Sequence, residues 1–199
     1  LNVNEKPEIT SQPVNSTICA AANTTFTVNA GVTTGVAYQW QVSTNGGVSY
    51  SNLSNTGIYT GTTTATLSLT AAPLANNGYL YRVQVSGTCT PGVVSDGALL
   101  TVNQSPVITG QPVTATICED GTVQFTVTAT GTALTYQWRE NTTGITDGGV
   151  YSGATTSTLT LTGVTSSFNA RQYDVVISGG CTPPVTSSAA TLNVNEKPE

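Results

Sequence analysis

Four cysteines are the residues of this 199-residue chain best able to form covalent bonds with one another. Cys19 closes "STIC" and Cys118 closes "ATIC", while Cys89 and Cys181 sit in "SGTCTP" and "SGGCTP". Paired spacing of this kind reads as disulfides in an exported chain, and four cysteines allow three connectivities. Little else offers chemistry. There is no histidine, so neither a Ser-His-Asp nor a Cys-His nucleophile can be assembled, and no imidazole is present to ligate a metal. The acids are scattered. Glu5, Glu8, Glu196 and Glu199 share one repeated phrase, and Glu119 and Asp120 form a polar turn in "CEDGT". That turn lacks the acidic spacing of a calcium loop, and the corresponding turn "CAAAN" carries no acid at all. No catalytic residue, cofactor or metal is expected.

The elements that must position the cysteines come in two copies. The chain opens on "LNVNEKPE" and closes on "LNVNEKPE", 191 residues apart at positions 1 and 192. Inside that period, "PEITSQPV" returns as "PVITGQPV", "AYQWQ" as "TYQWR", "YTGTTTATLSL" as "YSGATTSTLTL" and "YRVQVSGTCTP" as "YDVVISGGCTP". Self-similarity at a fixed period marks a repeat architecture. The expected modules are residues 1–103 and 104–199, with Pro7, Pro106 and Pro198 at the joints. The repeated octamer predicts a two-module segment of a longer array, whose partners are identical repeats arranged head to tail.

Composition excludes several classes. Only 8% of residues are charged and the net charge is −5, so there is no basic stripe for nucleic acid and no polybasic anchor for anionic lipid. No apolar run reaches the roughly 18 residues that span a bilayer. The chain is expected to be exported, with its targeting information outside this segment.

Apolar residues alternate in short runs bounded by Gly, Pro, Asn and Ser, the pattern of an all-β sandwich or barrel. Phe26, Val28 and Ala30 share one face, as do Leu67 and Leu69, and Tyr81, Val83 and Val85. Only "PLANNGY" and "SSFNARQ" suggest a short helical turn.

The order Phe-x-Val, then Trp, then Thr-Leu-x-Leu, then a strand opening on Tyr resembles strands B, C, E and F of an immunoglobulin-like domain. The likeness is nearest to the tandem repeats of large secreted bacterial surface proteins. It implies two antiparallel sandwiches in which Trp40 and Trp138 are core residues of strand C, and Tyr81 and Tyr173 occupy the tyrosine-corner position. Valines (Val28 with Val83, Val127 with Val175) stand where antibody domains carry their inter-sheet cysteines.

In that topology strands B and F run in the same direction, which puts Cys19 at the C-terminal pole of its module and Cys89 at the N-terminal pole. The separation implied is about 25 to 30 Å, whereas a disulfide needs Cα atoms about 4.4 to 6.8 Å apart. The resemblance therefore favours Cys19 with Cys181 across the joint, leaving Cys89 and Cys118 for neighbouring repeats. Pairing inside each module stands as the alternative.

Weaker signals read as structural. The threonines of "TGTTTATLSLT" suit outward strand positions. Tyr59 and Tyr151 recur before the same strand, which suggests packing, and Tyr50 is an exposed aromatic able to stack on sugar. Asn15, Asn23, Asn52, Asn103 and Asn141 begin glycosylation sequons. Lys6 and Lys197 are the only lysines and lie in the octamers, so neither is placed for an isopeptide staple in a core. The function expected is a non-enzymatic structural unit of an extracellular bacterial fibre, stalk or adhesin. The alternative is a module that binds a surface glycan or protein through its loops.

Overall fold

Threonine and apolar side chains alternate along most strands, so each strand has one face to bury and one to hydrate. The computed structural model describes residues 3–197, and the chain divides into two units, Leu1–Asn103 and Gln104–Glu199.

The first unit contains β1 (Ser16–Cys19), β2 (Thr24–Thr27), β3 (Ala37–Ser43), β4 (Ser51–Asn52), β5 (Tyr59–Thr60), β6 (Thr66–Leu69), β7 (Leu80–Ser86), β8 (Val93–Val94) and β9 (Ala98–Asn103). One sheet runs β1-β9-β7-β3-β4, with β8 on β7, and the other runs β2-β6-β5. Only β1 with β9 is parallel among these pairs. Phe26, Leu67 and Leu69 from the smaller sheet join Trp40, Tyr81, Val83, Val85 and Leu100 from the larger in one core.

The second unit contains β10 (Val107–Gly110), β11 (Ala115–Cys118), β12 (Thr122–Thr126), β13 (Thr128–Thr130), β14 (Thr135–Glu140), β15 (Thr143–Gly144), β16 (Tyr151–Ser152), β17 (Thr158–Thr162), β18 (Gln172–Ser178), β19 (Val185–Thr186) and β20 (Ala190–Asn195). Its larger sheet runs β11-β20-β18-β14-β15 with β19 on β18, its smaller β12-β17-β16, and β10 pairs with β13. Phe125, Trp138, Leu159, Leu161, Tyr173, Val175 and Ile177 fill its core. Both segments read as helical turns form short 3-10 helices, Leu74–Asn76 and Ser166–Phe168.

Local sequence explains two repeated features. Pro13 and Pro112 are buried and carry no N–H, so the leading strand cannot continue its ladder through them. The chain instead passes from β10 on one sheet edge to β11 beside β20. The preceding glutamines help to satisfy the backbone there: Asp96 N donates to Gln12 Oε1 at 3.0 Å and Ser188 N to Gln111 Oε1 at 2.9 Å. Gly61 and Gly153 stand at φ +74° and +80°, where a Cβ would lie 2.2 and 2.3 Å from the carbonyl oxygens of Thr66 and Thr158. Glycine is therefore required on both grounds.

Candidate functional site: cysteines at the poles of each unit

Cys19 is the last residue of β1 and lies in register with Asn103, the last residue of β9. The turn after it is pinned by Ala20 N donating to Asn103 O at 2.9 Å. Cys89 lies beyond the other end of β7, since β7 and β9 are antiparallel and pair at Leu80 with Leu99. The path from the level of Asn103 to Ser86 covers roughly 30 Å of strand. At that far pole the Cys89 Sγ donates to Asn4 O at 3.5 Å. Thr88 N donates to Thr34 O, Thr34 N to Glu5 O, and Glu5 N to Thr34 Oγ1 at 3.0 Å. The Cys89 loop and the Asn4–Glu5 segment thus form one hydrogen-bonded assembly.

The second unit repeats this geometry. Cys118 ends β11 in register with Asn195, and Glu119 N donates to Asn195 O at 3.0 Å. Cys181 follows β18 at the far pole, where Gly180 N donates to Thr132 O at 2.8 Å and Thr132 N to Gln104 O at 3.0 Å. Gln104 N returns a bond to Thr132 Oγ1 at 2.9 Å. Gln104 therefore holds the place in this unit that Glu5 holds in the first.

Cys19 and Cys181 are disulfide-bonded, whereas Cys89 and Cys118 are free thiols. The two states divide evenly, one of each per unit, so neither unit contains a bond between its own two cysteines. Cys181 is 2% exposed, Cys89 half-buried and Cys118 exposed.

Pro7 and Pro106 are buried beneath these cysteine loops. A Cβ added to Gly87 would stand 3.4 Å from Pro7 Cγ, and one added to Gly179 would stand 3.1 Å from Pro106 Cγ. The Ser-Gly before each Cys loop leaves room for the joint proline. Pro198 lies outside the described residues. Near it, Lys197 Nζ pairs with Asp120 Oδ2 at 2.7 Å, and hydrogen bonding to that carboxylate raises the lysine pKa. In the alignment of the two units Ala21 and Ser105 stand at these places, so the Gln104 joint lacks this ion pair.

Trp40 and Trp138 are fully buried, and their indole N–H groups donate to Thr64 O and Thr156 O, both at 2.9 Å. Tyr81 and Tyr173 are buried against Phe26 and Phe125, with ring centroids 4.9 and 5.0 Å apart. Their hydroxyls bond side chains. Tyr81 Oη lies 3.3 Å from Tyr59 Oη and accepts from Asn76 Nδ2, whereas Tyr173 donates to Glu140 Oε2 at 3.0 Å. Burial, first of all, pushes both phenols well above their ordinary value of 10.0.

Glu140 is a participant that the sequence reading missed. Tyr151 also donates to its Oε2, and Arg171 Nη1 reaches its Oε1 at 2.7 Å. The signal was present in the comparison of modules: Val42 and Tyr79 occupy the places of Glu140 and Arg171, so an acid and a base enter together. Beside this cluster lies an open cleft of about 570 Å³ lined by Glu140, Thr146, Asp147 and Tyr151 among others.

Outward threonines pair across the smaller sheets, Thr27 with Thr66 at 3.1 Å and Thr126 with Thr158 at 3.2 Å. Several sequon asparagines have their carbonyl oxygens engaged: Asn15 accepts from Leu99 N, Asn23 from Ala71 N and Asn141 from Gln172 N. Tyr50 carries the Arg82 guanidinium 3.7 Å above its ring. Among the described residues no group of three or more His, Cys, Asp or Glu is placed to hold a metal, and no helix is long and apolar enough to cross a membrane.

Residues 9–104 match a family model described as "Domain of unknown function (DUF8696)". No curated protein matches the chain. Solved structures do. The "I-band fragment I67-I69 from titin" is 15% identical with a TM-score of 0.78, covering 98% of this chain and 67% of that one. "Sidekick-1 immunoglobulin domains 1-4" is 18% identical with a TM-score of 0.74, covering 98% and 50%. "Rst D1-D2" is 17% identical with a TM-score of 0.72, covering 96% and 100%. At these identities the likeness speaks to the fold, and this chain is a tandem pair of immunoglobulin-like β-sandwiches.

Proposed function

We propose that the chain is a non-enzymatic structural repeat of an extracellular bacterial fibre, stalk or adhesin, and that Cys19 and Cys181 bond to each other across the Asn103–Gln104 joint. The observation that carries this reading is the division of the cysteines into one bonded and one free per unit. Geometry inside each unit supports it. Cys19 is in register with Asn103, the Cys181 loop is tied through Thr132 to Gln104, and Asn103 and Gln104 are consecutive residues.

Such a clamp changes the path of a mechanical load. A pull along the chain runs from the N-terminal segment through the Cys19–Cys181 bond into the C-terminal segment, and residues 20–180 lie outside it. Residues 20–180 are shielded from unravelling, while β1, β19 and β20 stay in the path of the load. Sparse charge and a threonine-rich outer face suit a shaft that hydrates without attracting charged partners. Single-molecule stretching tests this. The oxidised chain should release no unit-sized length, which for about 95 residues is roughly 300 Å, and reducing agent should restore those steps. Unit-sized steps under oxidising conditions would refute the clamp.

A second reading, ligand binding, is favoured by the cleft beside Glu140 and Tyr151. The cleft belongs to the second unit and is lined by the segment from Asn141 to Gly148. Glycan-array binding that is abolished by Tyr151→Ala would support it, and an unchanged array profile would remove it.

A further inference from the structure

We infer that Cys89 and Cys118 form a second clamp, between consecutive copies of this chain, with the repeated octamer as the shared joint. The inference rests on the reading of Cys19–Cys181 as a clamp. It commits to one partner, a second copy of this chain.

Three observations carry it. First, two half-joint geometries each occur twice along the sequence, and the two meet at Asn103-Gln104. Glu5 exchanges bonds with Thr34, and Gln104 exchanges the corresponding bonds with Thr132. Asn103 accepts from Ala20 N, and Asn195 accepts from Glu119 N in the same manner. Asn4-Glu5, Asn103-Gln104 and Asn195-Glu196 are thus equivalent steps of the chain.

Second, the free thiols lie at the two halves of the octamer. Cys118 is in register with Asn195, and the Cys89 Sγ rests on Asn4 O at 3.5 Å. When one copy runs into the next through a single octamer, Asn195 of the first copy is Asn4 of the second. Both thiols then flank the same residue, just as Cys19 and the Cys181 loop flank Asn103-Gln104. Third, the residues equivalent to Cys118 and Cys89 in the other unit, Cys19 and Cys181, are themselves disulfide-bonded.

The joints differ in charge. At the octamer, Lys197 pairs with Asp120 at 2.7 Å, and the Gln104 joint has Ser105 and Ala21 in these positions. The ion pair holds the lysine of the octamer against the turn that follows Cys118. A fibre built this way alternates a neutral and a charged joint, each with one disulfide.

The bond forms by thiol–disulfide exchange with a low-molecular-weight disulfide such as oxidised glutathione. The Cys118 thiolate attacks one sulfur of that disulfide and expels a glutathione thiolate. The Cys89 thiolate then attacks the mixed disulfide and expels the second. Two protein thiols are oxidised to one disulfide, one glutathione disulfide is reduced to two glutathione thiols, and the two thiol protons pass to the expelled thiolates.

The test is a chain of two complete copies joined through one shared octamer, refolded with oxidised and reduced glutathione. In a variant carrying Cys89→Ser in the first copy and Cys118→Ser in the second, the inference predicts no thiol reactive toward Ellman's reagent. It also predicts a Cys118 peptide of the first copy linked to a Cys89 peptide of the second. The unsubstituted two-copy chain should yield the same linked peptide, which guards against misfolding of the variant. Finding the Cys19–Cys181 peptide in each copy while the central thiols stay reactive overturns this inference alone. Absence of the Cys19–Cys181 peptide overturns the reading beneath it.

Discussion

Breaking the proposed Cys19–Cys181 bond should weaken both sandwiches. With the clamp intact, unfolding of the first unit alone leaves residues 19–103 as a closed loop of about 85 residues, because Cys19 is held by Cys181 and Asn103 by its peptide bond to Gln104. Unfolding of the second alone leaves a loop of similar size, about 78 residues from Gln104 to Cys181. Chain entropy gives an upper value of about 4.5 kcal/mol for loops of this length, and measured disulfides typically deliver about 2 to 4. For a domain of this size, 2 kcal/mol lowers Tm by roughly 10 °C.

The assay is thermal unfolding of Cys19→Ser/Cys181→Ser against the unsubstituted chain. Each unit carries one tryptophan, so Trp40→Phe and Trp138→Phe backgrounds report the two units separately. Dithiothreitol should reproduce the effect of the substitutions and add nothing to it. Both units must respond, because a bond inside one unit would protect that unit alone. A loss confined to one transition, or below about 0.5 kcal/mol in both, would refute the reasoning.

Further expectations concern the frame that positions the cysteines. Gly153→Ala should cost about 2 to 4 kcal/mol, since it puts a Cβ 2.3 Å from Thr158 O at φ +80°; urea denaturation measures it, and a cost below half the lower figure contradicts the account. Trp138→Phe should cost about 2 to 3 kcal/mol by opening a void and leaving Thr156 O without its indole donor, read by the same method. Stability should fall as pH rises above about 10, where the unfolded chain ionises its tyrosines while the folded chain keeps Tyr81 and Tyr173 neutral. Tm measured from pH 8 to 11 should decline less steeply in Tyr81→Phe and Tyr173→Phe, and an unchanged slope would contradict the assignment.

Much of the frame was legible because it repeats. Period-2 runs around Phe26, Leu67 and Val83 became the facing sheets, and Trp40 and Trp138 went to the centres of the two cores. Duplication also made the glycine of "YTG" and "YSG" recognisable as a fixed position, although its reason, a carbonyl oxygen against the missing Cβ, needed coordinates. Side-chain partners across a sandwich were not legible. Tyr81 and Tyr173 lie on β7 and β18, but the tyrosine-corner likeness gave no hint that one hydroxyl would meet Asn76 and the other Glu140. Those partners depend on long-range register, which alternation alone does not encode. The polar cluster on Glu140 escaped for a related reason. An isolated acid in a strand looks solvated until the segment leading into β18, which carries Arg171, is placed beside it.

The most direct test of the central claim is peptide mapping of the full chain, digested without reduction after its free thiols have been alkylated. The account predicts a Cys19 peptide joined to a Cys181 peptide, with alkylated Cys89 and Cys118. A Cys19 peptide joined to Cys89, or Cys118 joined to Cys181, would contradict it and leave two separately stapled domains on an unclamped joint.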